Sequence, residues 1–170
     1  MTATPSSSSQ HAGRAWVFGD DLTSEVLAPG RYMKFSIEEI AKHCLESVEP
    51  RFAAEVRPGD VVVGGRNFGA GSSREHVPQA MAASGICFLV GKSFARIFYR
   101  NCINLGLPAV VAPDAVDAAS PGSTLRLDLD GAVVEVDGVS FPIVPVPEFM
   151  REMFAAGGLV PWVASRLASA

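Results

Sequence analysis

Hydrophobic positions fall into two patterns along the first two thirds of the chain. Four short segments are largely apolar, which is typical of strands buried on both faces of a sheet. Between them lie segments with apolar residues three and four apart, a period typical of helices that pack on a sheet. Strands that alternate with helices predict βαβ units and a parallel sheet. The predicted strands are residues 14–18, 61–63, 86–90 and 107–111.

Three helices are predicted between these strands. Ser36 and Glu39 form a capping box at the start of the first helix. Pro78 is placed at the first position of the second, because a proline further inside would remove a backbone hydrogen bond and clash with the preceding turn. Ser93 is predicted to cap the third. The predicted helices are residues 36–48, 78–84 and 93–104.

The pattern changes after Pro121. Apolar and polar residues alternate on both sides of Asp130-Gly131, which predicts an antiparallel hairpin with a type I′ turn at this dipeptide. The predicted fold class is therefore α/β, with parallel βαβ units, an antiparallel hairpin and C-terminal helices. A further strand is predicted at residues 139–144, and the two terminal helices at 147–158 and 159–167.

Composition narrows the class of protein. A chain of 170 residues with 48% hydrophobic content is long enough for one domain with a sizeable core, predicted over residues 14–170. A net charge of −4 argues against a nucleic-acid partner. No run of 18 apolar residues is present, so no membrane-spanning helix is predicted. The Ser-rich segment from residue 1 to about 13 lacks the apolar core of a secretory signal and is predicted to be a disordered tail.

The three cysteines give no metal-binding pattern. Cys44, Cys87 and Cys102 are far apart, without a Cys-x-x-Cys pair or a close histidine. This spacing excludes a metal or iron–sulfur centre held by this chain alone. It also fits reduced thiols and a cytoplasmic protein.

The segment GGRNFGAGSSREH, residues 64–76, combines four glycines with several polar and charged side chains that could act in catalysis or binding. We call it the glycine loop. Three known uses of such loops fail on single residues. Ala70 stands where a phosphate-binding loop needs lysine, and Arg74 stands where a dinucleotide fingerprint needs glycine or alanine. Neither Ser72 nor Ser73 has the flanking glycines of a nucleophile elbow.

What remains is a serine pair beside an arginine. Residues 69–76 are predicted to extend over a helix N-terminus with free amides, an arrangement that favours a bound anion. A serine there can serve as a nucleophile or a base, since the amides and Arg74 stabilise an alkoxide. They equally favour a bound carboxylate. In the simpler alternative, Ser72, Ser73 and Glu75 only cap a helix and Arg74 is a solvated charge.

Together with three other segments, the glycine loop resembles a known family. The order of the segments is similar to that in the small subunits of 3-isopropylmalate dehydratase, the swivel-domain half of the aconitase superfamily. The similarity runs from residue 16 to about residue 163. The matching stretches are GDDLTSEVLAPGRY (19–32), RPGDVVVGGRNFGAGSSREHVPQA (57–80), GKSFARIFYRNCINLGLP (91–108) and FMREMFAAGGLVPWV (149–163).

The resemblance implies a swivelling β/β/α domain that works with a separate large subunit. That subunit is expected to carry a [4Fe–4S] cluster and most of the catalytic residues, and this chain no cofactor or metal. Ser72 is implied as the base that removes a proton next to a carboxylate of a small 2-hydroxy dicarboxylate. Arg74, with Ser73 beside it, and Arg31 are implied as substrate ligands. The implied activity is a hydro-lyase that interconverts 2- and 3-isopropylmalate in leucine biosynthesis.

Two departures from the family pattern bear on the supporting residues. Thr23-Ser24-Glu25 replaces a common Asp-Thr-Asp, so the acidic group implied to orient a partner histidine is the longer Glu25. Ala70 replaces a cysteine that is not a cluster ligand, so little loss is expected. Gly69 and Gly71 on either side are retained as supporting residues.

The substrate itself stays open at this point. In the family, the segment after the Pro-Gly turn is thought to contact the variable part of the substrate; here it is Tyr32, Met33, Lys34 and Phe35. Met33 and Phe35 suit an alkyl group, whereas Lys34 is either solvated or receives a third carboxylate, as in homoaconitate. Citramalate and 2,3-dimethylmalate are further alternatives. A non-enzymatic anion-binding module that has lost its partner is the rival from another class.

Overall fold

A computed structural model describes residues 10–71 and 74–169, with the backbone alone at residue 10. Seven strands form one mixed sheet in the order β4-β3-β2-β1-β5-β6-β7. The strands are β1 (Gln10–Val17), β2 (Val61–Gly64), β3 (Phe88–Gly91), β4 (Ala109–Val111), β5 (Thr124–Asp128), β6 (Val133–Val136) and β7 (Val139–Pro142). The helices are α1 (Ser24–Leu27), α2 (Ile37–Ala41), α3 (Phe52–Glu55), α4 (His76–Ala83), α5 (Arg96–Leu105), α6 (Pro113–Ala118), α7 (Glu148–Ala156) and α8 (Leu159–Ala168), with a 3-10 turn at Gly30–Tyr32.

The parallel half of the sheet confirms the predicted βαβ units. β1 to β4 lie side by side in parallel, and every residue of β2 and β3 is buried. Apolar side chains from the two faces form two separate core clusters. Helices therefore cover both faces, as continuously apolar parallel strands require.

β1 belongs to both halves of the sheet. Residues 15–17 pair in parallel with β2, and residues 10–14 pair antiparallel with β5. The tail predicted over residues 1 to about 13 was therefore wrong for residues 10–13. Their sequence is polar, but β5 provides hydrogen-bond partners for their backbone, and only the folded sheet brings β5 there. Residues 1–9 lie outside the described part of the chain.

The turns of the antiparallel half differ from the prediction. Four residues, 129–132, join β5 to β6, so the two-residue turn predicted at Asp130-Gly131 was wrong. Asp137 and Gly138 instead join β6 to β7, with φ of 49° and 86°. A type I′ turn needs positive φ at both central residues, and this second Asp-Gly dipeptide provides it. The strand predicted at 139–144 is confirmed as β7.

The helix predicted over residues 36–48 is confirmed only in its first part. Ser36 Oγ accepts a hydrogen bond from the backbone N–H of Glu39 at 3.2 Å, which is the predicted cap. α2 nevertheless ends after five residues. Leu45 adopts φ of 58°, and its backbone N–H donates to the carbonyl of Leu27 at 3.2 Å. A tertiary hydrogen bond and a left-handed residue thus replace the regular helix.

Two predicted helix starts were also wrong. α4 begins at His76, so Pro78 is its third residue, still in the first turn where the missing N–H has no intrahelical partner. Ser93 does not cap α5, which begins three residues later. The Ser93 hydroxyl instead accepts a hydrogen bond from the backbone N–H of Asn67 at 2.8 Å.

The rest of the C-terminal part follows the prediction, with one addition. α7 and α8 confirm the two terminal helices. α6 was not predicted, although Pro113 at its first position is a recognisable start signal. Within residues 10–71 and 74–169, no helix is long and apolar enough to cross a membrane.

Candidate active site

Three loops meet where the parallel strands β1, β2 and β3 end. They are the β1 loop (residues 18–32), the glycine loop and the β3 loop (residues 91–95). The β1 loop and the glycine loop exchange backbone hydrogen bonds: Gly69 N–H donates to the Leu22 carbonyl, and Ser24 N–H donates to the Ala70 carbonyl, both at 2.7 Å. Ligands of open α/β sheets bind at this carboxyl edge. The predicted chemistry therefore lies where the topology favours a site.

The β3 loop fixes the glycine loop from the other side. Phe68 N–H donates to the Ser93 carbonyl at 3.0 Å, and Ala95 N–H donates to the Phe68 carbonyl at 2.9 Å. The Phe68 ring is fully buried, with the rings of Phe94 and Phe98 at centroid distances of 5.1 and 5.6 Å. An aromatic cluster thus anchors the middle of the glycine loop in the core.

Close packing explains the supporting glycines. Gly69 has φ of 81°, and a Cβ there would lie 2.1 Å from Cγ of Phe98. Gly71 has φ of 116°, and its Cβ would lie 2.8 Å from Oγ of Ser24. The prediction of free amides was wrong for Gly69 and Ala70, whose N–H groups both donate within the protein, to Leu22 and Asn67. These glycines therefore serve close packing of the loop.

Gly69→Ala should consequently destabilise the protein by about 3 kcal/mol, from a left-handed alanine plus overpacking against Phe98. Gly122→Ala is the matched control, since Gly122 has φ of 87° and no atom within 4 Å of its added Cβ. The control should cost only the backbone strain, about 1 kcal/mol. Urea unfolding of both variants measures the difference. Equal losses of unfolding free energy in the two variants would show that the Phe98 ring moves aside at no energetic cost.

Arg74 is held at the junction of the β1 loop and the glycine loop. Its Nη1 lies 3.7 Å from Oε2 of Glu25, whose carboxylate also accepts the backbone N–H of Gly30 at 3.0 Å. A Cβ on Gly30 would lie 2.6 Å from the same Nη1. Sequence reasoning missed Gly30, although the Pro-Gly turn was visible. The predicted supporting residue Glu25 thus contacts Arg74 and shapes its surroundings.

One atom of Arg74 has an unusual environment. Nη1 is buried, and it has no hydrogen-bond partner among the described residues. The side chain as a whole is 36% exposed, so part of it is accessible. Buried polar donors are nearly always paired, and an unpaired one needs an explanation. A carboxylate or another anion bound by the guanidinium would provide the missing acceptor.

Arg31 lies in a different arrangement from Arg74. Its guanidinium forms an ion pair with Glu46 and lies 4.9 Å above the Tyr32 ring. The Tyr32 ring stacks on His43 at 3.6 Å, and Nδ1 of His43 lies 2.7 Å from Oε2 of Glu46. These four side chains close into a ring. Sequence reasoning missed Glu46 and His43, because neither lies in a recognised motif.

Contacts within this group of four side chains determine whether the carboxyl group of Glu46 is ionised. Partial burial alone would raise the pKa of its carboxyl group, but the hydrogen bonds from His43 and Arg31 outweigh burial and lower it. Glu46 is therefore ionised and holds Arg31 in place. Arg31, Glu46 and Glu25 all line one open cleft of about 510 Å³. Because Glu25 also lies 3.7 Å from Arg74, this carboxylate connects the surroundings of the two arginines.

Residues 32–35, predicted to contact the variable part of the substrate and called the specificity segment below, are partly buried and partly exposed. Tyr32 and Met33 are partly buried and pack against the core. Lys34 is exposed, and its Nζ lies 5.5 Å from the centre of the Phe35 ring. Phe35 is 49% exposed. The segment therefore offers one cation and one aromatic ring to an incoming molecule.

Two predicted residues, Ser72 and Ser73, lie outside the described residues. Their described neighbours Gly71 and Arg74 are at the junction of the loops. Buried polar side chains nearby are Ser24 of α1 and Asn101 of α5, which are 3% and 8% exposed.

No metal-binding cluster is found in the described part of the chain, where no three His, Cys, Asp or Glu side chains are arranged to hold an ion. The three cysteines are free thiols. Burial raises the pKa of Cys44 to about 12 and that of Cys87 to about 11, and it also raises the pKa of Cys102. The thiols are therefore protonated at neutral pH and are poor ligands.

The sequence that forms this fold and site is similar to that of aconitase C-terminal domains. Residues 44–114 match the model of the aconitase C-terminal domain. The chain is 52% identical over 151 residues to 3-isopropylmalate dehydratase small subunit 1 of Methanopyrus kandleri, with 87% of this chain and 89% of the relative covered. It is 46% identical to the 3-isopropylmalate dehydratase small subunit of Nautilia profundicola, with 87% and 90% covered.

A solved structure agrees with these relatives. The crystal structure of 3-isopropylmalate dehydratase from Methanocaldococcus jannaschii superposes with a TM-score of 0.88 at 37% identity, covering 94% of this chain and 96% of that one. The chain therefore belongs to the family of 3-isopropylmalate dehydratase small subunits. The family resemblance and the α/β fold class expected from the sequence are confirmed.

Proposed function

We propose that this chain is the small subunit of a two-subunit hydro-lyase that interconverts 2- and 3-isopropylmalate, a step of leucine biosynthesis in the cytoplasm. The observation that carries the proposal is the guanidinium of Arg74 at the carboxyl edge of the parallel sheet. Its buried Nη1 lies 3.7 Å from Glu25 and has no hydrogen-bond partner among the described residues. Arg74 lies two residues after Ser72. The proposed carboxylate ligand and the proposed base are therefore close in sequence.

The proposed reaction starts with Ser72. Its alkoxide takes the proton from the carbon next to a substrate carboxylate, and the electron pair of that C–H bond moves toward the carboxylate. Negative charge grows there, and the guanidinium of Arg74 stabilises it. As the electron pair forms the double bond, the bond from the neighbouring carbon to its hydroxyl breaks. The departing hydroxide would leave as water after receiving a proton from a general acid proposed in the large subunit, and the proton held by Ser72 is released to solvent. Addition of water in the opposite sense gives the isomer.

The partner is proposed to complete the site. The iron–sulfur cluster expected in the large subunit would supply a Lewis acid for the leaving hydroxyl. Arg31 is proposed to bind the second substrate carboxylate. Glu46 contacts it through a single nitrogen, Nη2, and a guanidinium has further donors for a second acceptor.

Substrate choice is proposed to depend on the exposed residues of the specificity segment. Phe35 offers apolar area that suits an isopropyl group. Lys34 rests over that ring and would instead meet a third carboxylate if the substrate were homoaconitate. We therefore expect a preference for alkyl-substituted malates, in the order isopropylmalate before citramalate.

Reconstitution tests the proposal directly. The chain is mixed anaerobically with its cluster-bearing large subunit, and loss of water from 2-isopropylmalate, citramalate, 2,3-dimethylmalate and homocitrate is followed. Turnover of 2-isopropylmalate is expected only in the mixture. Preference for another substrate would change the assigned pathway step. No turnover of any of the four would leave an anion-binding module.

Arg74→Lys should lower kcat/KM about 50-fold, because an ammonium keeps the charge but cannot form two parallel hydrogen bonds to a carboxylate. The change should appear both as a higher KM, from weaker carboxylate binding, and as a lower kcat, because Arg74 is proposed to stabilise the charge that grows in the transition state. Arg66→Lys is the matched control in the same loop, since Arg66 is 72% exposed and lies 3.9 Å from Asp20. The kcat/KM of the control variant should stay within about twofold of the wild-type value. Equal effects of the two substitutions would exclude Arg74 as a carboxylate ligand.

A further inference from the structure

An open groove lies between α5, α7 and α8, away from the cleft of Arg31. Its volume is about 580 Å³. Aromatic and aliphatic side chains dominate the walls, and Phe149 on the rim is 50% exposed. The apolar wall residues are Tyr99, Ile103, Phe149, Met150, Met153 and Trp162.

The outer side of α8 extends this apolar surface. Val160, Val163 and Leu167 are 78%, 39% and 73% exposed. Their spacing of three and four residues places them on one side of the helix. An apolar helix stripe is normally buried against another element. We call the groove and this stripe together the α5–α8 face.

The α5–α8 face carries positive charge at one end. Arg96 and Arg100 line the groove one helical turn apart, both are exposed, and neither forms an ion pair with a described residue. Neither α5 nor α8 contains an acidic residue. α7 contains Glu148 and Glu152, and Glu152 is already paired with Arg166 of α8. The surface is therefore complementary to apolar side chains flanked by carboxylates.

A second copy of this chain fits the α5–α8 face poorly. In a symmetric pair the same face meets itself, and neither α5 nor α8 of the second copy contains a carboxylate for Arg96 and Arg100. A different chain with acidic groups would supply one. The face is also continuous with the site, because Arg96 directly follows Ala95, whose N–H donates to the Phe68 carbonyl in the glycine loop.

We infer that the α5–α8 face docks the large subunit, through a surface of aliphatic or aromatic side chains bordered by carboxylates. This inference rests on the proposed function, since it requires a large subunit. A partner seated there would reach the carboxyl edge of the sheet and cover the site from the side of α5.

Charge reversal tests the docking inference. The double variant Arg96→Glu/Arg100→Glu is compared with Arg57→Glu/Arg126→Glu, which changes the net charge equally on other exposed surfaces. The dissociation constant for the large subunit is measured by sedimentation at two salt concentrations. We expect about 30-fold weaker binding for the first variant and about twofold for the control. At saturating large subunit, kcat should be that of the wild type.

A second variant tests the apolar stripe without changing charge. Val160→Ser/Leu167→Ser removes exposed apolar area and should weaken binding about tenfold with little effect on its salt dependence. Unchanged affinity in both α5–α8 variants would overturn the inference. So would self-association of the chain that the same substitutions abolish, because the face would then hold a second copy.

The measurements separate this inference from the proposed function. Association of the wild-type chains without turnover would reject the proposed reaction, while the variants would still decide where the large subunit docks. Absence of any association between the wild-type chains would overturn both.

Discussion

Ser72→Ala is expected to lower kcat of the reconstituted enzyme by about three orders of magnitude, because the proposed base is lost from the proton-transfer step. KM should change little, since the proposed carboxylate ligands Arg74 and Arg31 are retained. Ser73→Ala is the neighbouring control, and we expect it to raise KM without removing the base. Initial rates are measured anaerobically at saturating large subunit.

Isotopic labelling sharpens the test of Ser72. A substrate that carries deuterium at the carbon next to the carboxylate should react more slowly than the unlabelled one if proton removal limits the wild type. The residual activity of Ser72→Ala should show a larger isotope effect, because proton removal is then the slowest step. Equal kcat values for the Ser72 and Ser73 variants would place the base elsewhere.

Asp60→Ala should destabilise the protein by about 2 kcal/mol, because it removes a buried carboxylate that accepts three hydrogen bonds and leaves the buried indole N–H of Trp16 without this acceptor. Asp60 is 4% exposed, and its Oδ2 accepts three hydrogen bonds: from Arg14 at 2.8 Å, from the indole of Trp16 at 2.9 Å and from the backbone N–H of Arg57 at 3.0 Å. The residue precedes β2, so these bonds tie β1 and the turn before β2 together. Urea unfolding at pH 7 measures the loss.

The Asp60 network also makes stability depend on pH. Burial by itself would raise the pKa of Asp60, but the hydrogen bonds from Arg14, Trp16 and Arg57 outweigh burial and lower the pKa below its ordinary value of 3.8. Near that value the unfolded chain binds more protons than the folded one. The contribution of Asp60 to the free energy of unfolding is therefore present above about pH 4, and it is lost as the pH decreases through the pKa of Asp60 in the folded protein.

A matched aspartate separates this effect from general acid unfolding. Asp114→Ala replaces an exposed aspartate that forms no ion pair with a described residue, and it should cost no more than about 0.5 kcal/mol. As the pH is lowered from 4 to 2.5, the free energy of unfolding of Asp114→Ala should decrease as much as that of the wild type. The Asp60→Ala variant should show a smaller fall. Parallel curves for wild type and Asp60→Ala would contradict the role of this carboxylate.

Local patterns were sufficient for most of the helix–strand order. Continuous apolar runs such as Val61–Val63 predicted strands buried on both faces, because only such a strand needs apolar residues at every position. The boundaries were less predictable. Leu45 leaves the helical conformation for a hydrogen bond to Leu27, and residues 10–13 become strand because β5 lies beside them. Neither partner is close in sequence.

The candidate site likewise has features that follow from the sequence and features that depend on the tertiary structure. Sequence alone determined that a glycine-dense loop with Ser72, Ser73 and Arg74 follows a buried strand, and its segments identified the family. Only the tertiary structure decided that Glu25 and Gly30 surround Arg74, and that Glu46 and His43 hold Arg31. The physical reason is that residue type and spacing determine local conformation and chemical capacity. Which charges meet, and which donor is buried without a partner, depends on distant segments that come together only in the folded sheet.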